Sequence, residues 1–366
     1  MYERFNRAIS VVLAVVSVIC SSVICARYGD SVIALADESP VKAVFLGKTA
    51  DPSEPTAATP AESADQTVSS ESTDTKSDLS DSSSTVSSAV SSAAASKKAK
   101  NSGKKLGVID SQFITPYNAN TAYNNIYLNN QSGVKVSIQK LIKSFDCGVA
   151  PKSKQPQILI VHTHATENYA LSDDGAFRNA DLARSKDPNN SVIGVGNEVE
   201  RVLKKAGISV IHSKVLHDDP SYSGSYSRSA ATVQKYLKKY PSIKIVLDIH
   251  RDAIGDSKRL VKPVTKIDGK AAAQVMICVG SETGDVTDFP NWRQNLSLGL
   301  KLQQTMEVLY PGLARALFLA GDRCYNQNLS PGSIIVEFGT NGNSFSEAKY
   351  SGTLVGNALV TLIKNG

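Results

Sequence analysis

Three apolar stretches of this 366-residue chain run straight into side chains that bind metals or move protons. QILIV empties into His162-Thr163-His164-Ala165-Thr166-Glu167, IKIVLDI into His250-Arg251-Asp252, and IIVEFG holds Glu337. His164 and Glu167 stand in HxxE spacing, so a turn leaving a strand can bring an imidazole and a carboxylate onto one ion, and His250 offers a third donor. A catalytic zinc takes three such nitrogen and oxygen ligands and keeps a fourth position open. A single HxxE is weak evidence, because most histidines are simply hydrogen-bonded. The weight comes from there being only five histidines in the chain, with both clusters following apolar strands. His162 is the alternative ligand, or a residue that orients one from outside.

Hydrolysis at such an ion also needs a carboxylate that accepts a proton from water and passes it to the leaving amine. Glu337 fits that role, since an idle carboxylate inside IIVEFG would be costly to bury; the competing reading is a salt-bridged or edge-strand glutamate. Arg251 is the second catalytic candidate, able to fix a substrate carboxylate, with a structural ion pair involving Asp252 as the alternative. Asp248 precedes His250 by two, falls on the same strand face and can back it. His217-Asp218 and Tyr222, Tyr226, Arg228 and Ser229 form a polar patch, in which Tyr226 and Arg228 are candidate substrate contacts and loop packing is the alternative.

The elements that must position these groups read as alternating strands and helices. Strands are expected at 157–161, 208–211, 243–249 and 333–338. Val195, Val199, Val202, Leu203 and Ala206 share a helical face that stops at Gly207, and further helices are expected around 230–237, 292–309 and 346–363. Residues 259–280 read as a hairpin turning at Asp268-Gly269. This is the pattern of an α/β fold with a mixed, mainly parallel sheet flanked by helices, in which sites gather at the carboxyl ends of strands. The strands and short helix of 105–156 have no readable order.

Ahead of this domain, Ala8 to Ala26 is uncharged and long enough to span a bilayer, with Arg4 and Arg7 before it. It reads as a membrane anchor with a cytoplasmic N-terminus; a signal peptide cleaved near Ala34-Leu35-Ala36 is the alternative. The low-complexity Ser, Ala, Thr, Asp and Lys run that follows has little to bury and reads as a flexible tether. The expected organisation is therefore residues 1–36 as tail and anchor, 37–105 as linker, and 106–366 as an extracytoplasmic catalytic domain at the cell membrane. The formal charge of +6 suits an anionic wall or membrane neighbour, and the lysines lack the interleaved aromatics of a nucleic-acid surface. Cys20, Cys25, Cys147, Cys278 and Cys324 form no CxxC pair and read as small buried side chains. There is no GxSxG elbow, P-loop or GxGxxG.

From about Pro156 onward the chain resembles the stage II sporulation protein P family of peptidoglycan hydrolases, in ILIVHTHATENY, VGNEVERVLKKAGISVIHSKVLHD, SYSGSYSRS, IVLDIHRDA and IIVEFGTNG. The resemblance implies a zinc-dependent N-acetylmuramoyl-L-alanine amidase, with endopeptidase action on cross-links, that thins the septal wall during engulfment. It implies peptidoglycan as substrate, and stage II sporulation proteins D and M as partners. It also implies a phosphorylase/hydrolase-like fold similar to zinc amidases and carboxypeptidases. The amidases' terminal pattern supports Glu337 as catalytic carboxylate, and the carboxypeptidases' HxxE supports His164 and Glu167; the GHGG turn of the wider amidase group is not present. A zinc carboxypeptidase or endopeptidase acting on stem peptides, and an inactive wall-binding scaffold, are the competing readings.

Overall fold

The computed structural model describes residues 103–182 and 184–365. The anchor at Ala8–Ala26 and all but the last residues of the 37–105 tether lie outside the described residues. Among the described residues, no helix is long and apolar enough to cross a membrane.

In chain order the strands are β1 (Gly107–Gln112), β2 (Thr121–Tyr123), β3 (Ile126–Asn130), β4 (Ile158–Val161), β5 (Ala176–Phe177), β6 (Val210–His212), β7 (Ile245–Asp252), β8 (Arg259–Ile267), β9 (Lys270–Ala273), β10 (Val275–Val279), β11 (Leu317–Leu319) and β12 (Ser333–Thr340). The helices are α1 (Ile138–Lys143), α2 (Asn179–Leu182), α3 (Val192–Lys205), α4 (Ser225–Lys239), α5 (Trp292–Leu309) and α6 (Phe345–Asn365). Eight strands form one sheet in the order β2-β3-β11-β10-β12-β7-β4-β6. β12, β7, β4 and β6 run parallel, and β10 pairs antiparallel with β12, so the sheet is mixed and mainly parallel, as its βα alternation predicts. A second sheet, β5-β1-β8-β9, was not foreseen. Its β1 finds a parallel partner in β8, whose residues lie about 150 positions away, a pairing that no local periodicity reports. The hairpin expected over 259–280 is present over 259–273, with β8 and β9 joined through Asp268 and Gly269 at φ 48° and 76°, the two left-handed residues of a tight turn, while 275–279 leaves it as β10 of the main sheet.

β4, β7 and β12 are buried along their whole length, which explains their unbroken apolar runs. One sheet face packs on α3, α5 and α6 through Ile158, Ile160, Leu247, Ile249 and Val336; the opposite face meets α4 through Leu159, Val161, Val233 and Val246. The apolar stripe of α3 (Val192, Val195, Val199, Val202, Leu203) is buried, and each such side chain contributes about 1.5–3 kcal/mol. The helix stops where the Ile208 amide bonds to Leu203 O and the Gly207 amide to Lys204 O, with Gly207 at φ 82°. α6 lies close against α3, and Cβ atoms at Gly352 or Gly356 would come within 3.2 Å or 2.8 Å of Val195 or Val202. Cys147 and Cys278 are buried, and Cys324 is half-buried.

Helix α3 leaves β4 over one face towards β6, while α4 returns over the other face to β7. The crevice beyond the ends of β4 and β7 is therefore a topological switch point, where open α/β sheets place their sites.

Candidate metal centre

β4 ends at Val161, and residues 163–166 turn, so the HxxE segment projects beyond the carboxyl edge of the sheet. Donor atoms of His164, Glu167 and His250 all lie within 4.8 Å of one another, and all three residues are buried. His164 Nδ1 is 3.6 Å from Glu167 Oε1, and His250 Nδ1 is 3.4 Å from Glu167 Oε2. In a tetrahedral zinc site with bonds near 2.1 Å, neighbouring donors sit about 3.4 Å apart. His164 Nδ1, Glu167 Oε1 and His250 Nδ1 are enclosed without a hydrogen-bond partner, a costly state for polar atoms unless a cation completes it. Two imidazoles and a carboxylate, with these atoms turned inward, fit a zinc ion.

The outer atoms of the same residues are held. Asp248 Oδ1 lies 2.9 Å from His250 Nε2 in a close but bent contact, which reads as an ion pair more than an aligned hydrogen bond. Asp248 is itself fixed by the Thr163 amide at 2.8 Å and the Thr163 hydroxyl at 2.6 Å. Ser225 Oγ, in the first residue of α4, lies 3.1 Å from His164 Nε2. Glu167 Oε2 accepts the Arg251 amide at 3.0 Å. Tyr222 stacks on the His164 ring at 4.4 Å between centroids, and Tyr226 meets it edge-on at 5.6 Å. Arg184 covers the Tyr222 ring at 4.7 Å and pairs with Asp218 at 2.7 Å.

Glu337 stands in register with His250 on the neighbouring strand, so both side chains leave the same sheet face. Both its oxygens are buried without partners. Met276 is in register on its other side, and Met276, Cys278, Tyr325 and Tyr226 belong to the apolar cluster on this face. Burial, reinforced by the negative Asp252 and Glu167, holds Glu337 well above the usual carboxylate range. Burial works against charge on His250 too, but Asp248 and Glu167 outweigh it and hold that imidazole well above its ordinary value. For Glu167 burial is again outweighed, by His250, His164 and Arg251, and its carboxyl is held well below the usual range. Asp248 is lowered to about 2, with the His250 charge and the Thr163 bonds overcoming burial.

The structure brings His164, Glu167, His250 and Glu337 together, with Tyr226 and Asp248 beside them. His162 turns away: its Nδ1 is 2.9 Å from Ile249 O and its Nε2 is 2.8 Å from His212 Nε2, so both nitrogens are occupied outside the cluster. Arg251 gives its Nε to Asn168 O at 3.0 Å, a buried clamp on the HxxE loop. Arg228 donates to the carbonyls of His217, Ser221 and Ser223, which fastens the loop before α4 and leaves its guanidinium engaged with backbone. Asp252 pairs with Arg315 at 2.8 Å, not with Arg251. His217 binds His162 O and Thr232, in the loop-packing role. Ser225, Arg184, His212 and Arg315 were not singled out by sequence reasoning, and nothing in their local pattern marks them.

A family model described as Stage II sporulation protein P matches residues 37–360. Stage II sporulation protein P of Bacillus subtilis (strain 168) is 30% identical over 200 residues, 52% of this chain and 47% of that protein, so the match spans about half the relative's length. Among solved structures, the CwlD amidase of Clostridioides difficile, in complex with the GerS lipoprotein, is 13% identical at a TM-score of 0.37, covering 58% of this chain and 100% of that one. The N-acetylmuramyl-L-alanine amidase Ami1 of Mycobacterium smegmatis is 10% identical at 0.35, covering 59% and 100%. A metallo-carboxypeptidase of Burkholderia cenocepacia is 11% identical at 0.33, covering 59% and 60%. Scores this low assign no residue a role.

Proposed function

The chain belongs to the stage II sporulation protein P family, and from that premise we propose that it is a zinc-dependent peptidoglycan hydrolase, an N-acetylmuramoyl-L-alanine amidase that also cleaves peptide cross-links during sporulation. The observation that supports this reading is the convergence of three buried donor atoms without partners on the face that also carries Glu337. His164, Glu167 and His250 would hold the ion. Zinc, when bound, supplies Lewis acidity towards a water and towards the scissile carbonyl.

The remaining work belongs to the chain's own side chains. Glu337 accepts the proton of the attacking water and delivers it to the nitrogen of the leaving amine, which cannot depart as an amide anion. It lies on the sheet face that carries His250, among Met276, Cys278 and Tyr226, where a cation held by the neighbouring cluster would keep its carboxylate ionised and able to accept. Asp248 keeps the His250 imidazole aimed. Arg251 holds the loop that presents Glu167. Tyr226 lines the wall beside the cluster. In the same reading, residues 1–36 anchor the protein in the cell membrane, 37–105 tether the domain outside it, and stage II sporulation proteins D and M are its partners.

Digestion of purified peptidoglycan by the full-length protein tests the activity. Free stem peptides with intact glycan strands are expected, together with monomers released from dimeric muropeptides. Monomers without free stem peptides would restrict the enzyme to cross-links or peptide ends. Absence of both in the presence of zinc would remove the enzymatic reading.

A further inference from the structure

The two histidines of the cluster are backed by different chemistry. His250 has a carboxylate behind it: Asp248 Oδ1 lies 2.9 Å from Nε2 and is itself fixed by two bonds from Thr163. His164 has a neutral hydroxyl: Ser225 Oγ lies 3.1 Å from its Nε2. Ser225 is buried, and its amide bonds to the Tyr222 carbonyl at 3.1 Å, so its hydroxyl is placed by the same turn that lays Tyr222 on the His164 ring and brings Tyr226 to its edge. Three residues of one short segment therefore surround one imidazole, two through ring contacts and one at a nitrogen. The nitrogen left over is Nδ1, which has no partner and faces Glu167.

We infer that Ser225 is a positioning residue for the metal ligand His164. Its Oγ accepts a hydrogen bond from the Nε2–H and so keeps the Nδ1 lone pair directed into the cluster. This deepens the proposed function and rests on it. A histidine ligand of zinc generally gives its second ring N–H to an oxygen, which fixes both the tautomer and the angle of the ring. A hydroxyl polarises the ring less than a carboxylate does, so His164 is the weaker and Asp248-backed His250 the stronger of the two donors. The asymmetry has a geometric origin. Asp248 lies on the strand that carries His250, whereas Ser225 arrives on a separate helix, through a loop held by Arg184, Asp218 and Arg228.

The test is zinc affinity of the full-length protein, measured by competition with a chromophoric chelator, alongside the ring N–H signals of zinc-loaded protein labelled with 15N-histidine. Ser225→Ala is expected to weaken zinc binding by about 10-fold, Ser225→Thr to restore most of it, and Asp248→Asn to weaken it more, towards about 100-fold. In the wild-type protein the His164 ring proton is expected on Nε2, exchanging slowly with water, and in Ser225→Ala to exchange faster. Zinc bound by wild type and Ser225→Ala with equal affinity would overturn the inference, as would a His164 ring proton found on Nδ1 in the loaded wild type. The wild-type spectrum decides even if Ser225→Ala does not fold. A wild-type protein that binds no zinc at all would instead overturn the proposed function, so the two failures are distinguishable.

Discussion

His162 and His164 are separated by one threonine, are equally buried and leave the same strand, yet they belong to opposite kinds of surroundings. His162 sits in a closed chain, in which Ile249 O, His212 Nε2 and, beyond it, Glu200 Oε2 at 3.1 Å from His212 Nδ1 use every ring nitrogen. His164 sits in an open one, with Nδ1 turned towards Glu167 and nothing to bond. Residue type, burial and neighbourhood in sequence do not separate the pair. Whether the nitrogens have protein partners does, and that is decided by what packs on each side of the loop. α3 brings Glu200 towards β6 and its His212 on one side, while α4 brings Ser225 on the other.

The sharpest way to break the comparison is to delete each ring in turn. His164→Ala is expected to abolish stoichiometric zinc, read by metal analysis of the purified protein, and with it peptidoglycan hydrolysis. His162→Ala should keep its zinc and lose stability instead, about 2–4 kcal/mol in urea unfolding, because the Ile249 carbonyl and His212 are left buried without partners. Zinc loss in His162→Ala with stability unchanged would invert the assignment.

Glu337→Gln comes next in size. It keeps the shape of the open side but removes the proton acceptor, and is expected to lower kcat by about 10²–10⁴-fold while zinc content stays at the wild-type level. A kcat within twofold of wild type would take Glu337 out of the reaction.

The closed side can also be strained without touching the open one. A Cβ at Gly196 of α3 would lie 2.8 Å from His212 Nε2 and 2.9 Å from His162 Nε2. Gly196→Ala should therefore cost about 1–3 kcal/mol by overpacking, with zinc affinity unaltered, as chelator competition would show.

A further expected effect is a pH dependence of stability. Burial, with His212 beside it, lowers His162 from 6.5 to about 3. Below 6.5 the unfolded chain takes up a proton that the folded chain refuses. The stability associated with a neutral His162 is therefore complete above 6.5 and drains away as pH falls towards 3. Urea midpoints measured from pH 7 to 4 should fall, and should fall less in His162→Ala.

Much of the open side was legible before any coordinates. His164, Glu167, His250 and Glu337 stand where apolar runs give out, and a strand too apolar to face water must place its terminal polar residues at the sheet's edge. The helices at 292–309 and 346–363 were legible for a similar reason, since their apolar spacing survives over many turns; the second is observed as Phe345–Asn365. What the sequence concealed depends on partners distant along the chain. The charge of Arg228 invited a substrate contact, but its guanidinium is taken up by three backbone carbonyls. Arg251 gives its Nε to a carbonyl of the loop it supports. Ser225 is one of several serines in SYSGSYSRS, and only the way α4 starts from Gly224, at φ 76°, singles it out. β1 has no readable register because its partner strand comes so much later.

The Tyr222 ring stacks on the His164 imidazole and also takes the Arg184 guanidinium, which pairs with Asp218, so a residue far from the donors is tied to the ring that carries one of them. Loosening Arg184 or Tyr222 would therefore reach the metal site indirectly, by freeing the His164 ring and the turn that sets the Ser225 hydroxyl behind it, and affinity would fall without the removal of a single donor atom.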